Sequence, residues 1–271
     1  MKALEKLTKK FNDGLHICVG LDSDINKIPK HLQNFNDPVF EFNKEIINKT
    51  KSNAAAYKLN LAFYEKDGIE GLQTLEKTLA EIPSDVLTIG DAKRGDIGNT
   101  SKMYAQSLFD HFNFDASTLH PYMGKDSVQP FLDFEDRLNF ILVLTSNPGN
   151  ADFEKQKLNS GKFLFQEVLE KVHEWNSSNN CGIVFGATNP EELEENIPGF
   201  KNLPVLLPGV GSQGGSLEEV VKIFQSNHNN NYIINISRAL IYEDSSESFA
   251  FTAFEKLKEY NSIIAKITAE F

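Results

Sequence analysis

The sequence has 271 residues, 40% of them hydrophobic, and a formal net charge of -11. That is enough apolar material for one large core or two small ones. The acidic balance disfavours nucleic acid and anionic membrane as partners, and no apolar run approaches the ~20 residues needed to cross a bilayer.

The chain opens with MKALEKLTKKFNDG, a charged amphipathic helix that lacks the apolar stretch of a signal peptide, so a soluble cytoplasmic protein is expected. Short apolar runs rich in Val, Ile, Leu and Ala then alternate with helical patterns. HICVGLD (16–22) predicts a strand that ends in Asp22. The helical DPVFEFNKEIINKT leads to AAAYKLN (54–60), which carries Lys58 and Asn60 at its end. VLTIGDAK (86–93) ends in Asp91 and Lys93, and DASTLHPY (115–122) in His120. NFILVLTSNP (139–148) brings Ser146 and Asn147, and the helical GKFLFQEVLEKVHEW follows. CGIVFGATNP (181–190), LPVLLPGVG (203–211) and NYIINISRA (231–239) complete the series, the last with Arg238. The Asn- and Ser-rich NSSNN and SNHNNN read as surface loops before the sixth and eighth strands. The stretch from Asn150 to Asn180 is longer than the other crossovers, for no functional reason visible in the sequence.

Eight strands alternating with helices predict an α/β fold, a (β/α)8 barrel of one domain over residues 1–271, with an open doubly wound sheet as the alternative. Barrel enzymes build their sites at the carboxyl ends of the strands, where Asp22, Lys58, Asn60, Asp91, Lys93, His120, Ser146 and Arg238 collect. Asp91 and Lys93 are two apart and share a strand face. Lys58 ends the neighbouring strand. Such a cluster can be a salt-bridge network that seals the barrel. Buried pairs gain little net stability after desolvation, however, and several charged groups at one mouth favour chemistry. The two cysteines, Cys18 and Cys181, lie in strand-like runs and are expected as reduced, buried thiols. The histidines show no metal-ligand spacing. Phosphate would need local cations: the glycines 209, 211, 214 and 215 surround Gln213 in a loop able to turn its N–H groups toward an anion, and Arg238 stands at a helix start after strand eight.

DAKRGDIGNT, together with GLD in strand one, KLN in strand two, GVGSQGG in strand seven and SRAL in strand eight, resembles the orotidine 5'-phosphate decarboxylase family. Lys58 separates the chain from metal-dependent relatives, which place a carboxylate there to help hold magnesium. The resemblance implies a cofactor-free, metal-free lyase. Its substrate would be the nucleotide orotidine 5'-monophosphate, and its products uridine 5'-monophosphate and carbon dioxide, in the last step of pyrimidine nucleotide synthesis. It implies Lys93 as proton donor, Asp91 beside the scissile carboxylate, and Lys58 between the acids and the ribose hydroxyls. Asp22 and Asn60 would hold the ribose, Ser146 the pyrimidine edge, and Gln213, Gly214 and Arg238 the 5'-phosphate. Asp96 and Thr100 would reach into a partner subunit, which implies a homodimer. Ser237 departs from the glycine that many relatives carry before the arginine.

The chemistry agrees with these roles. Loss of carbon dioxide leaves negative charge on a ring carbon, so a fixed cation, here a lysine set between Asp91 and Asp96, is worth most in the transition state. Repulsion between Asp91 and the substrate carboxylate, about 4 kcal/mol at about 4 Å and an effective dielectric of about 20, is partly cancelled by the lysines. Cation placement is therefore expected to matter more. A magnesium-dependent sugar-phosphate lyase or synthase, and a non-catalytic phosphate-ligand binder, are the rival expectations. His120 reads as a packed or hydrogen-bonded residue, Arg94 as a solvent or interface residue, and Phe112 and Phe114 as core.

Overall fold

Parallel strands covered on both sides are apolar on both faces, and in this chain residue parity separates the two faces cleanly. Ile17, Val19, Tyr57, Leu59, Ile183, Phe185, Ile234 and Ile236 pack outward with the helices. Cys18, Ala56, Leu87, Ile89, Ala116, Phe140, Val184, Leu206 and Ile233 form a second cluster inside the strands. The structure, a computed structural model, describes residues 1–210 and 214–271.

The strands are β1 (Ile17–Gly20), β2 (Ala56–Asn60), β3 (Leu87–Arg94), β4 (Ala116–Leu119), β5 (Leu138–Leu144), β6 (Cys181–Phe185), β7 (Val205–Leu207) and β8 (Tyr232–Ile236). Each pairs in parallel with the next, and β1 pairs with β8 through Ile17–Ile234 and Val19–Ile236, so the sheet closes into a barrel. This is the expected (β/α)8 barrel, and closure removes the open-sheet alternative. The helices are α1 (Ala3–Asn12), α2 (Pro38–Thr50), α3 (Ala62–Glu65), α4 (Gly68–Glu81), α5 (Gly98–Gln106) and α6 (Lys125–Leu132), followed by α7 (Leu164–Trp175), α8 (Pro190–Asn196), α9 (Leu217–Ser226), α10 (Arg238–Ile241) and α11 (Phe249–Thr268). Among the described residues, no helix is long and apolar enough to cross a membrane.

The amphipathic α1 plugs one end of the barrel. Ala3, Leu7 and Phe11 recur every four residues, so they share one face, and that face joins the inner cluster. The Lys6 ammonium lies 2.6 Å from Asp115, just before β4, which fixes the plug over the amino-terminal ends of the strands. The opposite, carboxyl-terminal mouth is thereby left as the open end. Near it, β1 and β8 approach so closely that a Cβ on Gly20 would come within 2.7 Å of the Ser237 Cβ.

Apart from β3, the strands are shorter than the sequence windows. Asp22, His120, Ser146 and Arg238 stand beyond the last ladder residues, because each chain leaves its neighbours there to enter a loop. The long crossover after β5 is folded locally. Glu154 accepts from the Thr145 amide (2.6 Å) and hydroxyl (2.9 Å), Asn150 donates to the Thr145 carbonyl (2.8 Å), and Lys157 bridges to Phe163.

Candidate active site

Inward parity carries the polar residues of the mouth. Ala56 leads to Lys58 and Asn60, Leu87 and Ile89 lead to Asp91, and Cys18 and Gly20 lead to Asp22. The Lys58 Nζ donates to Asp91 Oδ2 at 2.8 Å and to Asp22 Oδ1 at 3.5 Å. The Lys93 Nζ donates to the other oxygen of Asp91 at 2.6 Å. One buried carboxylate thus faces two ammonium groups, one on each oxygen.

The two innermost members are almost sealed, with Lys58 at 5% exposure and Asp91 at 8%, whereas the Lys93 side chain is 49% exposed. Desolvation is the largest influence on both buried groups and acts against their charges. For Lys58 it is outweighed by Asp91 and Asp22, which hold the ammonium above the usual lysine range. For Asp91 it is outweighed by Lys58 and Lys93, which hold the carboxyl well below the usual carboxylate range. The array is a fixed set of charges from which one cation opens to the mouth.

Sequence reasoning missed a further member. Thr118 is buried at 1% exposure, and its hydroxyl donates to Asp91 Oδ1 at 2.8 Å while accepting from the Lys93 amide at 3.0 Å. It stands two residues after the inward-facing Ala116, so the same parity that placed Asp91 would have found it. Lys93 itself has a φ of 47°, in the left-handed region.

The expected placement of Lys93 between two acids is not realised within one chain. Asp96 makes no ion pair among the described residues; its carboxylate turns back to accept from the Ile97 amide at 2.7 Å. The cause is local: the chain leaves β3 at Arg94, and Gly98 (φ 52°) starts α5, so Asp96 sits on a turn instead of a continuing strand. Thr100 is exposed in the first turn of α5. Arg94 is paired with Glu65 and lies 5.1 Å over the Tyr104 ring.

Asn60 is half-buried, and its side-chain oxygen accepts from the Ala62 amide at 3.2 Å. His120 is exposed and accepts from the Tyr122 amide at 3.3 Å, the hydrogen-bonded histidine that was expected. Ser146 is half-buried, next to the Thr145 held by Glu154. Arg238 is the first residue of α10 and is exposed; Gly214 is exposed with a φ of 94°. Gln213 and Gly211 lie outside the described residues. The ends of their loop are drawn together by the Val210–Gly215 bridge and by the Gly215 amide, which donates to the Gly209 carbonyl at 3.1 Å.

Among the described residues, no three His, Cys, Asp or Glu side chains group as a metal site would need. Cys18 and Cys181 are free and buried, and burial pushes the Cys181 thiol up to about 12. Phe114 is core, while Phe112 is only partly buried against it.

A cavity of about 340 Å³ is lined by His120, Tyr122, Leu142, Phe153, Glu154 and Phe165 among others, on the side of the mouth where β4 and β5 end.

A sequence model described as the orotidine 5'-phosphate decarboxylase / HUMPS family matches residues 16–250. The chain is 46% identical over 257 residues, 94% of each chain, to an orotidine 5'-phosphate decarboxylase of Phocaeicola vulgatus. It is 47% identical over 265 residues to that of Christiangramia forsetii, covering 96% of this chain and 95% of the relative. Among solved structures, it resembles an OMP decarboxylase of Leishmania donovani with a TM-score of 0.83 and 32% identity, covering 98% of this chain and 99% of that one. It also resembles a UMP synthase of the same organism, with a TM-score of 0.85 and 34% identity, over 97% of this chain and 57% of that chain.

Proposed function

The chain belongs to the orotidine 5'-phosphate decarboxylase / HUMPS family, and on that premise we propose that it is a carbon–carbon lyase. It converts orotidine 5'-monophosphate to uridine 5'-monophosphate and carbon dioxide, as the last step of de novo pyrimidine synthesis, without metal or cofactor. The observation that carries this reading is the Lys58–Asp91–Lys93 array, with its one half-exposed ammonium at the barrel mouth.

In this reading the bond between the ring carbon and the carboxylate breaks, carbon dioxide leaves, and the electron pair stays on the ring carbon. The Lys93 ammonium stabilises that charge and then gives the carbon a proton. The neutral amine left behind regains a proton from solvent. Charges already fixed before reaction need no reorganisation during it, which is where electrostatic catalysis gains most. The buried Lys58 holds Asp91 in place and, with Asp22 and Asn60, meets the ribose hydroxyls. Ser146 meets the pyrimidine edge. Gln213, Gly214 and Arg238 hold the 5'-phosphate, whose binding energy keeps the ring among the charges.

Asp96 and Thr100 complete the site of a partner subunit in a homodimer. This is supported by Asp96, which turns to its own Ile97 amide and makes no ion pair with Lys93 among the described residues, and by Ile97, Met103 and Tyr104, which stand exposed beside these two residues and make an apolar patch suited to association. The free, buried thiols fit a cytoplasmic enzyme.

The purified protein is expected to remove the ultraviolet absorbance of orotidine 5'-monophosphate at the same rate before and after exhaustive chelation. No change in absorbance with a folded protein would overturn the reading. Activity lost to the chelator would instead favour the magnesium-dependent lyase.

A further inference from the structure

The β3–β4 ladder loses step at the reacting groups. Gly90 pairs with Ser117 and Arg94 with Leu119, so β3 advances four residues while β4 advances two. Asp91, Ala92 and Lys93 therefore stand opposite Thr118 alone. A bulge of this kind re-aims side chains near a site, but here Lys93 also sits in the left-handed region at φ 47°, which is unfavourable for a non-glycine residue. Something must hold the backbone there.

We propose that Thr118 is the positioning residue that locks the bulge and sets the distance between the Asp91 carboxylate and the Lys93 ammonium, an inference that rests on the decarboxylase reading. A hydroxyl offers one proton and accepts in return, and both capacities are used. The proton goes to Asp91 Oδ1 at 2.8 Å, and the oxygen takes the Lys93 amide at 3.0 Å. The backbone of the proton donor and the carboxylate that faces its ammonium are thus tied to one atom, which is itself held by burial in the barrel wall at 1% exposure. Oδ1 is also the oxygen that receives the Lys93 ammonium at 2.6 Å, so the hydroxyl, the amide and the ammonium close a small ring of contacts. Without the hydroxyl, Lys58 still holds Oδ2, but Oδ1 is left to the half-exposed Lys93 ammonium alone, and the Lys93 backbone is no longer tied to it. Thr118 touches neither the substrate nor the transferred proton in this scheme; it acts through its neighbours.

Thr118→Val keeps the shape and removes the hydroxyl, whereas Thr118→Ser keeps the hydroxyl and removes a methyl. Losing a hydrogen bond to a charged group corresponds to roughly a 10- to 100-fold change. T118V is therefore expected to lower kcat by that factor with KM within about threefold, and T118S to stay within about threefold of wild type in both. Equal kcat in T118V and wild type, or a rise in KM alone, would overturn the proposal. A wild-type protein that does not turn over orotidine 5'-monophosphate would instead defeat the decarboxylase reading. Amide hydrogen exchange gives a readout independent of turnover and of whether T118V folds: the Lys93 amide should exchange slowly in wild type and in T118S. Fast exchange in the wild-type protein would show that the hydroxyl does not hold it.

Discussion

At the scale of single residues, Lys93 differs from the two charges around it because it is half open while they are sealed. Removing its side chain leaves Asp91 still bonded to Lys58 and to Thr118, so no buried charge is stranded. Lys93→Ala is accordingly expected to fold with a nearly unchanged Tm and to bind uridine 5'-monophosphate within a few-fold of wild type. Loss of both the proton donor and the fixed cation should lower kcat by about 10^4-fold or more. Single-turnover kinetics beside a binding titration check this, and near-normal turnover would refute the proton-donor role. Arg238, exposed at the start of α10, is proposed to hold the other end of the substrate. Arg238→Ala should raise KM by about 10- to 100-fold with a smaller effect on kcat, the size expected for one charge-assisted hydrogen bond; steady-state kinetics with an unmoved KM would count against a phosphate contact. The residue types of this site were legible because strand parity turns Lys58 and Asp91 inward, and Lys93 follows two residues on even though the bulge interrupts the ladder there. Thr118 escaped notice because a lone threonine in DASTLHPY carries no charge to mark it. The turn that takes Asp96 away from Lys93 was hidden because it depends on where β3 ends, and only the neighbouring strands decide that.

At the scale of elements, the alternation of eight strands with helices was readable from apolar spacing, and closure of the sheet decides between the barrel and the open sheet that spacing alone allowed. The step between β3 and β4 was not, since register belongs to two strands at once and neither contains it. Nor did α1 announce its destination: its pattern says which face is apolar, not that the face plugs the barrel. That docking places His16 between Phe11, stacked at 5.0 Å, and Tyr232, stacked at 4.2 Å. Its Nδ1 lies 2.9 Å from the Tyr232 carbonyl, and the ring is 2% exposed. Desolvation lowers its pKa from 6.5 to about 4, against a smaller opposing effect of the carbonyl. The folded state then stays neutral while the unfolded chain takes up a proton as pH falls below about 6.5, so stability is lost on acidification. From these values the loss between about pH 7 and about pH 5 is about 2 kcal/mol. Urea unfolding at the two pH values should show it, and His16→Phe should reduce the difference by about that amount. An identical pH difference in wild type and His16→Phe would mean that another group controls the acid limb.

At the scale of the whole molecule, the proposed function would make the site of a single chain incomplete. That reading sets Lys93 between two acids, but among the described residues its ammonium meets Asp91 alone, and Asp96 and Thr100 lie on a turn and helix beside the exposed Ile97, Met103 and Tyr104. Both deficits are met at once if two copies pack through this face, because a two-fold contact is reciprocal: each copy lends Asp96 and receives it. The reciprocity can be tested by mixing two dead proteins. In Lys93→Ala both sites of the dimer lack the proton donor, and in Asp96→Ala both lack the borrowed acid. In a mixed dimer, one site carries both substitutions. The other combines the intact Lys93 of one chain with the intact Asp96 of its partner and is whole. Random exchange at equal amounts makes half of all dimers mixed, with one working site of two, so activity should recover to about a quarter of wild type after subunit exchange. If Asp96 served its own chain, every site in the mixture would lack one residue, and the mixture would stay as inactive as its components.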